Sequence, residues 1–136
     1  MNATENVSWT DIENLISSLA NEILKLPRSF SSITTLSRGG LIPSRLLADV
    51  LDIKKIHVDQ ITVSSDSLFV DDIFDTGRSF DDVLLRVDDS SKFIFATLFA
   101  RRGMEYPDQL IYGKQTFDDS YVVFPWDKIE YKKSLK

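Results

Sequence analysis

Three carboxylates fall within five residues in the stretch Phe69 to Phe80 (FVDDIFDTGRSF), after which the chain turns at once into Thr76-Gly77-Arg78-Ser79. Asp71, Asp72 and Asp75 repel one another at such spacing, and a polyhydroxylated, cationic or metal-bound partner would relieve them. Thr76 to Ser79 lies where a loop opens a helix, so free N–H groups, two hydroxyls and the positive end of a helix dipole converge into a small anion nest. A phosphate fits there. Just upstream, Asp71 and Asp72 offer acceptors to vicinal sugar hydroxyls, and either suits a hard cation such as Mg2+. A phosphate nest beside paired carboxylates suits a ribose 5-phosphate.

These groups need a frame to hold them. Ser8 is a helix cap, and Ile12, Leu15, Ile16, Leu19, Ile23 and Leu24 recur at helical spacing, which predicts an amphipathic helix over 8–25 ended by Pro27. Ser32 to Leu36 reads as a short strand running into Ser37-Arg38-Gly39-Gly40, with a helix following Pro43 from about Ser44 to Leu51. The pattern then repeats: Leu68-Phe69-Val70 as a buried strand, Asp71 to Ser79 as a loop, and Phe80 to Val87 as a helix carrying Val83, Leu84 and Val87. Lys92 to Ala100 and Tyr121 to Phe124 are further strands. Alternating strands and helices predict an α/β fold with a largely parallel sheet, whose ligands sit beyond the carboxyl ends of the strands. Both unusual loops fall at such ends. The tail Tyr131 to Lys136 reads as a solvated end.

Composition removes several alternatives. A chain of 136 residues with 43% hydrophobic content is expected to form a single domain over 1–136 without staples. The absence of cysteine excludes disulfides, thiolate zinc sites and cysteine nucleophiles, and points to a reducing, cytoplasmic setting. One histidine, His57, excludes metal sites that need two imidazoles on one helix face; it reads as structural or exposed. A net charge of -5 argues against nucleic acid as a partner. No apolar run approaches the roughly 20 residues of a membrane span, and the N-terminus lacks the basic-then-apolar order of a signal peptide.

The run Val70 to Ser79 resembles the phosphoribosyl-pyrophosphate signature of type I phosphoribosyltransferases: a hydrophobic strand, two acids, two apolar residues, then D-T-G-x-[ST]. The resemblance implies that Asp71 and Asp72 hold the ribose hydroxyls, with Asp72 near Mg2+, that Asp75, Thr76, Gly77, Arg78 and Ser79 wrap the 5-phosphate, and that Asp75 assists proton transfer at the base. Leu36 to Pro43 is similar to the pyrophosphate loop of the small bacterial xanthine-guanine enzymes. Gly39 and Gly40 permit close backbone approach there, Arg38 supplies a permanent charge, and Ser37 completes the loop. Ala96 to Arg101 resembles the strand that ends in a base-contacting lysine, here replaced by Arg101. Ser120 to Trp126 resembles the base-binding hood, expected mainly over 101–127, in which Tyr121 would stack on the purine and the Val122 backbone would read its edge.

The resemblance therefore implies a phosphoribosyltransferase-like sheet with a small C-terminal hood. It implies Mg2+-dependent transfer of ribose 5-phosphate from phosphoribosyl pyrophosphate to a 6-oxopurine (guanine, xanthine or hypoxanthine), by a homodimer or homotetramer. The alternatives are a non-catalytic regulator that binds phosphoribosyl pyrophosphate or a nucleotide, and a transferase for another base. Arg101 and Arg102 have a rival reading as a solvated strand end, Tyr121 and Trp126 as packing residues, and Asp81 and Asp82 as acids of a first helical turn. One departure stands out: the family's long active-site lid has no counterpart, since only Ser64 to Ser67 separates Ile61-Thr62-Val63 from Leu68. Parallel strands normally need a connection of a dozen or more residues. Either Ile56 to Val58 and Ile61 to Ser64 form a hairpin, or, as the matching flanks favour, residues of a mobile loop are absent at this point.

Overall fold

Ser8 and Asp11 cap each other. Ser8 Oγ accepts from the Asp11 amide at 3.1 Å and Asp11 Oδ2 accepts from the Ser8 amide at 2.9 Å, a capping box that fixes the start of α1 (Trp9–Leu24). The structure, a computed structural model, describes residues 3–135. Ile12, Leu15, Ile16, Leu19 and Ile23 are buried along α1 as its spacing predicts, whereas Leu24, at the helix end, is exposed. The next elements are β2 (Ser32–Thr35), α2 (Leu41–Leu51), β3 (Ile56–Val58), β4 (Ser67–Phe74), α3 (Arg78–Leu84), β5 (Phe95–Ala100) and β6 (Leu110–Gln115). α2 begins three residues before the expected Ser44, with Pro43 in its first turn, where a missing N–H costs nothing.

Strands β3, β2, β4, β5 and β6 form one parallel sheet in that order, with α1 and α2 on one face and α3 on the other. The first face buries Leu15, Leu19, Ile33, Leu47, Leu68, Val70 and Leu98. The second is aromatic: Phe69 stacks on Phe95 at 5.0 Å, and Phe80 of α3 meets Phe95 edge-on at 5.5 Å. Burying rings of this size is worth roughly 1.5–3 kcal/mol each, and aromatic geometry adds to it.

Several expectations are corrected. Asp71 to Phe74 do not belong to a loop: they continue β4, pairing with Thr97 to Ala100 of β5. Lys92 closes a short 3-10 turn instead of opening β5. Residues 128–134 are helical, as α4 (Lys128–Ser134), so the tail is structured although it is largely exposed, as expected; Lys136 lies outside the described residues. Strand β6, which has no alternating pattern, was not expected. Nor was β1 (Thr4–Asn6), which pairs in parallel with β7 (Tyr121–Val123) as a separate two-stranded sheet.

The hairpin is also absent: among the described residues β3 pairs only with β2, in parallel, and Val63 bridges Val87 instead of β3. Val58 pairs with Thr35 and Ser67 with Ser32, so the chain steps back only three residues' rise, about 10 Å, between β3 and β4. A strand this short removes the need for a long crossover, and residues 59–66 suffice without further chain. They are pinned as they pass. The Val63 amide donates to Arg86 O at 3.0 Å and its carbonyl accepts from Asp88 at 3.1 Å. The Ser65 amide donates to Asp88 Oδ1 at 2.8 Å, and Arg28 donates to the carbonyls of Ser65 and Lys92 at 2.7 and 2.5 Å. Among the described residues no helix is long and apolar enough to cross a membrane.

Candidate active site

Because β2, β4 and β5 run parallel, their carboxyl ends share one edge of the sheet, and the loops leaving them meet there. At the end of β4, Asp71 Oδ1 accepts from the Asp72 amide and Asp72 Oδ1 from the Ile73 amide, both at 2.8 Å. Burial pushes the Asp72 carboxyl up to about 8, with the neighbouring Asp71 charge adding to it, and burial raises Asp71 as well. One buried and one half-buried carboxylate, neither of them in an ion pair among the described residues, form an oxygen-only donor set suited to a hard cation. Among the described residues no group of three or more His, Cys, Asp or Glu side chains converges. A cation here would therefore complete its shell from water and ligand oxygens, as Mg2+ does.

The glycine loop from β2 lies directly against this pair. A Cβ on Gly39 would stand 2.7 Å from Asp72 Oδ2, and one on Gly40 would collide with Thr35 Oγ1 and come within 2.8 Å of the Val70 carbonyl. Only glycine lets the loop sit so close to the strands. Asp59, which sequence reasoning missed, fastens the loop: its carboxylate accepts from the Ser37 amide at 2.8 Å and the Ser37 hydroxyl at 2.5 Å. Those two bonds, hydroxyl first, hold the Asp59 carboxyl below its usual range. Arg38 is exposed and sits 3.4 Å from Glu130 of α4, a solvated pair that holds it only loosely.

Asp75 to Ser79 curl into the turn that opens α3. Gly77 takes a φ of 86°, a left-handed conformation that glycine adopts without strain, and the Arg78 amide donates to Thr76 Oγ1 at 3.3 Å. A cavity of about 170 Å³ lies within this turn, lined by Asp71 to Phe80 and by Phe95. The concavity is continuous from this turn back to the paired acids.

Beside it opens a larger cavity of about 1000 Å³, bounded by Asp75, Thr76, Arg101, Asp118 to Tyr121 and Ala3 among others. Arg101 is no solvated strand end. Its Nε donates to Asp75 Oδ1 at 3.0 Å, and its Nη1 donates to the Asp118 and Ser120 carbonyls at 3.0 and 2.9 Å. Arg102 is exposed, as the solvated reading has it, and donates through Nε to Thr116 O at 2.9 Å. Tyr121 presents its ring, 55% exposed, at the rim, with one face stacked on Tyr131 of α4 at 5.4 Å. Burial raises its hydroxyl pKa, and the charges of Asp127, Glu130 and Asp72 add to this.

The Val122 side chain is buried, but its peptide groups are placed differently. The Tyr121 amide donates to Ala3 O and the Val123 carbonyl accepts from the Val7 amide, so strand alternation turns the Val122 N–H and C=O toward the other edge of β7. Trp126 is a packing residue, stacked on Phe124 at 4.9 Å. The structure thus brings Ser37 to Gly40, Asp71, Asp72, Asp75 to Ser79, Arg101 and Tyr121 to one edge. Tyr131 and Glu130 were missed because a lysine-rich segment carries no apolar stripe to announce a helix.

No family model matches the chain. It is 29% identical to the xanthine-guanine phosphoribosyltransferase of Chromohalobacter salexigens, over 89% of this chain and 82% of that protein. Their aligned stretch of 140 positions is more than that share of 136 residues can fill, so the relative carries residues that this chain lacks. Among solved structures, the Helicobacter pylori xanthine-guanine-hypoxanthine phosphoribosyltransferase superposes with a TM-score of 0.78 at 19% identity, covering 98% of this chain and all of that one. A hypothetical protein from Neisseria gonorrhoeae with bound ppGpp superposes at 0.72 and 19% identity, covering 98% of this chain and 94% of the other. Sequence likeness along most of the chain and a shared fold point the same way: the chain is similar to the small bacterial xanthine-guanine phosphoribosyltransferases and has the phosphoribosyltransferase fold.

Proposed function

We propose that this protein is a 6-oxopurine phosphoribosyltransferase, moving ribose 5-phosphate from phosphoribosyl pyrophosphate to guanine, xanthine or hypoxanthine. The observation that carries the reading is the contact between Asp72 and Gly39, which sets the paired acids of one phosphate loop against the backbone of the other. A diphosphate and a sugar phosphate on the same ribose need that adjacency.

In this reading Asp71 and Asp72 accept hydrogen bonds from the ribose hydroxyls, and the amides and hydroxyls of Asp75 to Ser79 take the 5-phosphate. Ser37 to Gly40, with Arg38 released from Glu130, take the pyrophosphate. Asp72, with Asp71 beside it, would hold Mg2+, which supplies positive charge to the pyrophosphate oxygens. The C1–oxygen bond breaks with its electron pair leaving on pyrophosphate, and a base nitrogen forms the new bond to C1. Asp75 takes the proton that the imidazole ring sheds. Tyr121 offers the ring on which a purine stacks, the Val122 peptide its edge contacts, and Arg101 the wall of the base cavity. Positioning and electrostatics account for the rate, since the sugar turns cationic as it reacts. The reading brings two further expectations, a cytoplasmic location and a homodimer or homotetramer, which fractionation and light scattering test.

A second reading, a nucleotide-binding regulator, is favoured by the connection 59–66, which is pinned along its length and offers nothing to close over a ligand. That a fold neighbour carries bound ppGpp supports this reading. Calorimetry with Mg2+ and phosphoribosyl pyrophosphate, followed by pyrophosphate release with guanine, xanthine, hypoxanthine, adenine and uracil, separates the readings. Release with an oxopurine supports the transferase. Binding without release supports the regulator, and release with uracil alone overturns the purine assignment.

A further inference from the structure

Arg101 leaves β5 with its amide on the Phe74 carbonyl at 2.7 Å and its own carbonyl accepting from the Tyr106 hydroxyl at 2.6 Å, so its backbone is held from both sides. From that fixed point the guanidinium spans two segments at once. Nε meets the Asp75 carboxylate, while Nη1 meets the carbonyls of Asp118 and Ser120, immediately before Tyr121. Its side chain is only 14% exposed against 54% for Asp75, so solvent screens this pair less than an ordinary surface bridge. Among the described residues no other side chain or amide bonds the Asp75 carboxylate.

We propose that Arg101 is a positioning residue for the transfer: it sets the Asp75 carboxylate relative to the loop that carries Tyr121, giving proton acceptor and stacking ring one rigid frame. The role rests on the transferase reading. Arginine suits it because its planar fork aims one edge at a carboxylate and another at two carbonyls, whereas an ammonium has all its donors on one atom. A lysine at this position must release either Asp75 or the loop. With three of its five N–H donors committed to protein partners, Arg101 acts on the base chiefly through Asp75.

The test is a kinetic cycle of wild type, Arg101→Lys, Asp75→Asn and the double variant, measuring pyrophosphate release with Mg2+, phosphoribosyl pyrophosphate and guanine. Arg101→Lys is expected to lower kcat roughly 30- to 100-fold, the scale of a misplaced catalytic group, while KM for phosphoribosyl pyrophosphate stays within about twofold. In the Asp75→Asn background the same change should cost less than about threefold, because the group it positions is gone. Should Arg101→Lys fail to fold, Arg101→Ala with added guanidinium replaces it, and rescue must then require an intact Asp75. Multiplicative losses overturn the role, as does a rise confined to KM for guanine, which would make Arg101 a base ligand. If the wild type binds phosphoribosyl pyrophosphate but releases nothing with any base, the transferase reading and this role both fail; an active wild type with multiplicative losses removes the role alone.

Discussion

Gly39 and Asp72 leave no room between them for a methyl group: a Cβ on the glycine would stand 2.7 Å from the carboxylate oxygen. The obstruction is the tip of a side chain, so Gly39→Ala displaces Asp72 more than it strains the fold. Its expected stability cost is under about 1 kcal/mol, with kcat/KM for phosphoribosyl pyrophosphate falling roughly 10- to 100-fold. Gly40→Ala meets Thr35 and the Val70 backbone instead, neither of which can give way, and should destabilise by about 1–3 kcal/mol. Chemical denaturation and steady-state kinetics on the two variants should show opposite patterns; equal activity losses at equal stability would remove the Asp72 contact from the argument.

The Asp72 carboxyl makes the stability of the metal-free protein depend on pH. Its folded pKa, near 8, lies above the unfolded value of 3.8, so the folded state keeps a proton that the unfolded chain releases. The stabilisation is complete below about pH 4 and is lost as pH rises through 8. Asp59, Asp88 and Asp118, whose carboxyls are lowered, act in the opposite sense and only at more acid pH. With chelator present, Tm should decline between pH 5 and 8.5 in wild type and less steeply in Asp72→Asn, where Asp71, also raised by burial, still titrates; matching profiles would refute the assignment.

Asp59 holds the loop Ser37 to Gly40 by its carboxylate and sits at a φ of 54°, a conformation that aspartate and asparagine tolerate better than alanine. Asp59→Ala is expected to raise KM for phosphoribosyl pyrophosphate about tenfold while leaving KM for the base alone. Asp59→Asn, which keeps an acceptor for the Ser37 amide, should shift it about two- to threefold. An unchanged KM in the alanine variant would free the loop from this support.

Asp75→Ala is expected to reduce kcat by about 10²- to 10⁴-fold, the range for a lost general base, with the Kd of phosphoribosyl pyrophosphate within about threefold. Single-turnover kinetics beside calorimetry distinguish the two quantities. A wild-type turnover number would take Asp75 out of the chemistry.

Local signals in the sequence mark most of the candidate site. The apolar runs of β4 and β5, the Gly39-Gly40 pair and the D-T-G-x-S turn each announce themselves within ten residues, and the structure brings them to one edge. Non-local pairing defeated the rest. Thr4-Glu5-Asn6 has no apolar alternation and becomes a strand only because Tyr121 to Val123 lies beside it. The path from Val58 to Ser67 depended on how short β3 would be, which the Ile56-His57-Val58 run does not reveal. Arg101 was assigned to the base on position alone, whereas its partners come from segments 17 to 26 residues away. No pattern near Asp59 marks it as the support of Ser37.

The fastenings along residues 59–66 bear on traffic through the site. Asp59 is tied to Ser37, Gln60 to Arg86, Val63 to Arg86 and Asp88, and Ser65 to Arg28 and Asp88, so this flank behaves as a girdle. The opposite bank, Asp118 to Tyr121, is tethered as well, through the Arg101 guanidinium on the Asp118 and Ser120 carbonyls. Neither flank of the larger cavity is therefore a loose flap, and a ligand seated there would stay open to solvent.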